Sequence, residues 1–70
     1  MINVSEIISS TPHQRTKPTL GYYPINDTQW NVDITLHVIG RGGEKDDIDH
    51  VLAVVASEEE AKAFIQSINI

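Results

Sequence analysis

Residues 30–39 constrain the fold more than any other part of the chain. Trp30, Val32, Ile34, Leu36 and Val38 alternate with Asn31, Asp33, Thr35 and His37. Successive side chains of a strand point to opposite faces, so this period of two predicts a half-buried strand whose even positions face a core. A slip of one residue would bury Asp33 and His37, and that cost pins the faces.

The neighbouring segments suit partners for that strand. Leu20–Ile25 carries Tyr22 and Tyr23 and reads as a strand. Pro24 gives no ladder hydrogen bond, so an edge or bulged strand is expected. Asn26-Asp27-Thr28 supplies turn chemistry. Gly40–Asp47 reads as a polar, glycine-rich hairpin loop. Ile48–Ala56 follows as a strand that is apolar on both faces, with Val51, Ala53 and Val55 on one and Leu52, Val54 and Ala56 on the other. A hairpin symmetric about the loop pairs Leu36 with Val51, Ile34 with Ala53 and Val32 with Val55. It also places His37 opposite His50.

The chain closes on a helix, expected over Ser57–Asn69. Ser57 and Glu60 form a capping-box pattern. Glu58, Glu59 and Glu60 fall in the first turn, where the helix dipole favours negative charge. Ala61, Phe64, Ile65 and Ile68 make the apolar stripe. At the other terminus Val4, Ile7 and Ile8 predict a short helix within 1–10, capped by Asn3 or Ser5. A strand through Ile2 and Val4 is the alternative. Thr11–Thr19 reads as an extended arm or loop, with Pro12 and Pro18 and the basic residues His13, Arg15 and Lys17. The fold class is therefore α+β: a three-stranded antiparallel meander, a C-terminal helix on one face, and a short N-terminal helix.

Composition narrows the function classes. With 70 residues the chain fits one domain, 1–70. A domain of that size buries only about 60% of its unfolded surface, which raises the weight of a partner subunit. It has no cysteine, so neither a disulfide scaffold nor a Cys-based zinc site can form. No secretory leader pattern opens it, and its apolar runs are too short to span a bilayer, so a cytoplasmic protein without membrane contact is expected.

The net charge is −5, and all of the excess falls in residues 42–70. A negative field repels phosphate, so direct nucleic-acid binding is not expected. A protein partner with a basic surface is. The glutamates at 58–60 have a helix-capping explanation, which leaves Glu44, Asp46, Asp47 and Asp49 as acidic contact candidates. One helix covers one face of a sheet, so Ile39, Leu52 and Val54 are expected to stay open on the other face, as contacts for a partner or a second copy. One ring of the Tyr22–Tyr23 pair must point outward, and Tyr22 is carried as a contact candidate.

The catalytic signals are thin. No serine sits in a nucleophile-elbow context, and the glycine loop lacks the Walker spacing. His37 and His50 are weak metal candidates with Asp33 or Asp49, short of the usual four zinc ligands. No cofactor and no enzymatic activity are expected. The leading expectation is a small acidic interaction module or regulatory subunit that forms a homodimer. The alternative is an inhibitor of a nucleic-acid-handling complex, of the phage anti-defence type. A metal- or small-ligand-binding subunit stands third.

Overall fold

The computed structural model describes residues 3–68. In chain order it contains α1 (Val4–Ser10), β1 (Thr19–Asn26), β2 (Gln29–Ile39), β3 (Lys45–Val55) and α2 (Glu58–Gln66). The expectations placed on Met1, Ile2 and Asn69 lie outside the described residues. The strands form one antiparallel sheet in the order β1-β2-β3, which is the expected α+β meander.

Central β2 carries the core. Val32, Ile34 and Leu36 are 0% exposed and Val38 is buried beside them, so the alternation gives the faces correctly. Removing each such side chain from water is worth about 1.5–3 kcal/mol. Opposed residues share a face, so the pairs Leu20–Ile34, Tyr22–Val32 and Pro24–Trp30 add β1 residues to this layer. The Tyr22 and Trp30 rings meet at 5.8 Å with a tilt of 48°. Helix α2 packs over all three strands and buries Ala61 completely. Ser57 Oγ accepts from Glu60 N at 3.1 Å. The Glu60 carboxylate accepts from Ala56 N at 2.8 Å, one residue earlier than the standard capping box.

Helix α1 goes to the same side of the sheet. Asn3 caps it, accepting from Glu6 N at 3.4 Å. The arm that follows is not a free loop. Gln14 bridges to Val38, Arg15 N donates to His37 O at 2.9 Å, and Ile39 N donates to His13 O at 2.9 Å. Gln14 shares the core face with Val38, and its Nε2 donates to Ile8 O and Thr11 O at 2.7 and 2.9 Å. That amide ties the end of α1 to the helix side of the sheet.

The β2–β3 hairpin corrects the expected loop and register. The loop is only residues 40–44, and Asp46 and Asp47 already belong to β3. Gly43, with φ of +81°, takes the left-handed conformation that tightens the turn. Gly40 N donates to Glu44 O at 2.8 Å, and Gly43 N donates to Gly40 O at 3.0 Å. Leu36 therefore pairs with Ile48, Ile34 with His50 and Val32 with Ala53. A bulge interrupts the ladder, because Val32 pairs with Ala53 while Asp33 pairs with Val51. Leu52 is the extra residue, and it reverses the phase of β3.

Candidate interaction surface

Helix α2 packs on the even-numbered side of β2, where Gln14 also ties the end of α1, and among the described residues neither helix is shown packed on the other side. This open face is laid out in rows across the sheet. From one end they are Tyr23–Asn31–Val54, Gly21–Asp33–Val51, Thr19–Thr35–Asp49, then His37–Asp47 and Ile39–Lys45. The arm adds Arg15 beside His37.

The first two rows set exposed apolar side chains around the polar Asn31 and Asp33. Tyr23, Val51 and Val54 are each about half exposed. They come together because the Leu52 bulge turns Val51 to the same face as Val54. Asn31 lies between Tyr23 and Val54, only 4% exposed, and its Nδ2 has no hydrogen-bond partner. A buried amide without an acceptor costs about 1–3 kcal/mol.

The next rows are polar and interlocked. The Thr19 hydroxyl lies 2.7 Å from His37 Nε2, and His37 Nδ1–H donates to Asp47 Oδ1 at 2.8 Å. Arg15 donates to the same Oδ1 at 3.1 Å and to Val38 O at 3.3 Å. Thr35 donates to Asp49 Oδ1 at 2.7 Å. The hydrogen bond from His37 and then the nearby charges of His37 and Arg15 hold the Asp47 carboxyl below its ordinary value. Burial first, and the neighbouring Asp49 charge second, push Asp33 up.

The order hydroxyl–imidazole–carboxylate is that of an acyl-transfer triad. Such a site also needs preorganised oxyanion donors and a cavity beside the hydroxyl. Thr19 instead lies on the open sheet face, and Asp47 is shared with an arginine. What this relay does in the geometry at hand is fasten the arm, β1, β2 and β3 to one another.

The expected site residues are spread more widely than one patch. Ile39 and Val54 share the open face but sit at opposite ends of it, with roughly 26 Å of β2 between their rows. Leu52 is the bulge residue and is partly buried. Tyr22 turns inward against Trp30 because it pairs with Val32, and the outward ring is Tyr23. Asp47 and Asp49 face the open side, while Asp46, paired with Val38, faces the helix side. The Glu44 carboxylate folds back over Gly40 and Gly42. The juxtaposition of His37 and His50 is overturned. His37 pairs with Asp47 and His50 with Ile34, so the two rings leave opposite faces of the sheet and cannot share a metal ion.

Sequence reasoning missed the relay. Its trace was nevertheless present, because Thr35 and His37 have the same two-residue spacing as Asp49 and Asp47, and the β2–β3 register superposes the pairs. Among the described residues, no helix is long and apolar enough to cross a membrane. Compared with known proteins, the chain matches no family model, no curated protein and no solved structure.

Proposed function

We propose that this protein is a small cytoplasmic interaction module, without a catalytic centre of its own, that pairs with a second copy through the open sheet face. The observation that carries this reading is the cluster of Tyr23, Val51 and Val54 around the unpartnered Asn31 amide. Apolar surface of this kind, gathered on a sheet with no covering layer, gains most from being buried by another chain. The acidic residues Asp46 and Asp49 of the outer strand stay exposed and are left to engage a basic protein surface. Light scattering on the eluting protein tests the pairing. The expected result is a dimer for the parent chain and a monomer for Val54→Lys. A parent chain that stays monomeric at its highest soluble concentration overturns it.

The exposed carboxylates along an edge strand also favour a second reading, inhibition of a nucleic-acid-handling complex by occupying its basic channel. The double variant Asp46→Lys, Asp49→Lys tests it while leaving Asp47 in its relay. Inhibition that survives this change removes the basis for that reading.

A further inference from the structure

The few basic groups of this acidic chain are not equally committed. Arg15 is engaged by Asp47 and Lys62 by Glu58. The side chains of Arg41, in the β2–β3 turn, and His13, in the arm, have no ion-pair partner among the described residues. Backbone pairing of the arm with β2 nevertheless brings them together. His13, Gln14, Ile39, Gly40 and Arg41 line a cavity of about 380 Å³, within the range of about 300–1,000 Å³ typical of small-molecule sites.

The cavity is preformed. Its arm wall is fixed by the Ile39 N–H bond to His13 O at 2.9 Å, and its turn wall by the bonds that close residues 40–44. His13 has a φ of +62°, a conformation that residues with a Cβ rarely adopt. Backbone held in this way concentrates at ligand sites. Ile39, 42% exposed, supplies an apolar floor. The Glu44 carboxylate lies against Gly40. Its negative charge stands beside the cavity and opposes a doubly charged ligand more strongly than a singly charged one.

We propose that this cavity binds a small organic monoanion. Its carboxylate is held by Arg41 and His13, and its apolar body rests on Ile39. This site lies at the opposite end of the open face from the Tyr23, Val51 and Val54 cluster, and neither reading depends on the other.

The test is a titration of the full isotope-labelled chain followed by amide resonances. The probes are benzoate, its neutral relative benzyl alcohol, and phenyl phosphate, which carries a second charge. Benzoate is expected to shift the Ile39 and Gly40 amides, with phenyl phosphate weaker and benzyl alcohol weaker still. Arg41→Ala should weaken benzoate about fivefold, the scale of one partly exposed ionic contact. Glu44→Gln should tighten it. No benzoate shifts up to its solubility limit would overturn the proposal, as would equal binding of benzyl alcohol or an unchanged affinity in Arg41→Ala. Tighter binding of phenyl phosphate than of benzoate would overturn the single-charge assignment.

Discussion

Asp33 and Asp47 occupy the same sheet face and are tuned in opposite directions. The folded structure lowers the pKa of Asp47, chiefly through the hydrogen bond from His37. Its contribution to stability is therefore complete above the usual carboxylate range and is lost as pH falls through the depressed value. Asp33 has a raised pKa, from burial first and from Asp49 second. Ionised Asp33 weakens the fold at neutral pH, and protonation relieves that as pH falls through the raised value. Thermal melts across this range should separate the two. Asp47→Asn should lower the melting temperature at neutral pH, and Asp33→Asn should raise it. Both differences should fade once each carboxyl is protonated in the folded parent chain. An Asp33→Asn variant that melts below the parent at neutral pH contradicts the assignment. At this scale the sequence marked which β2 residues face away from the core but not what they meet. The partner of His37 depends on turn length and on the bulge, and neither leaves a mark in composition.

Elements were legible where local chemistry and periodicity agreed. The β2 alternation is visible because one face must be apolar and the other need not be. The β1–β2 turn is visible because Asn26 Oδ1 accepts from Thr28 N at 2.9 Å, an Asx arrangement that its residue types announce. Helix α2 is visible through Ser57 and the glutamates that follow it. Replacing Ser57 with alanine should cost about 1 kcal/mol in chemical denaturation, the usual value of an N-cap, while Ser57→Asp should retain most of it. An unchanged midpoint in Ser57→Ala would mean that Glu60, bonded to Ala56 N, fixes this terminus alone. The phase of β3 was not legible. Its apolar half is apolar on both faces, so nothing in Val51–Val55 tells which residue is supernumerary. The arm was hidden for another reason. Its prolines and polar residues carry loop statistics, yet Gln14 bridges to Val38 where β1 no longer runs beside β2.

At the scale of the whole molecule, β2 is the only described strand paired along both sides. The molecule is elongated, 42 × 22 × 17 Å, with its sheet covered on one face. Local opening should follow that layout. Hydrogen exchange on the dilute protein should find the Val32–Val38 amides slowest and the outer-strand segment Lys45–Val51 and α1 faster. Equal protection of Lys45–Val51 and β2 would indicate that a second chain already covers that edge. The distribution of charge was readable at this scale from the sequence, since the acidic excess falls in residues 42–70. Its division between the two faces of β3 was not, because the faces follow from the register.

The Leu52 bulge also governs how the gene can change length. The β2–β3 ladder is complete without that residue, because Val51 and Ala53 already hold adjacent partners, Asp33 and Val32. Loss of the Leu52 codon would leave every remaining pair intact and return β3 to regular pleating. A codon lost from the middle of β2 has no such slack to draw on. It would carry Asp33 or His37 toward the helices, so the two adjoining strands should differ sharply in their tolerance of single-residue deletion.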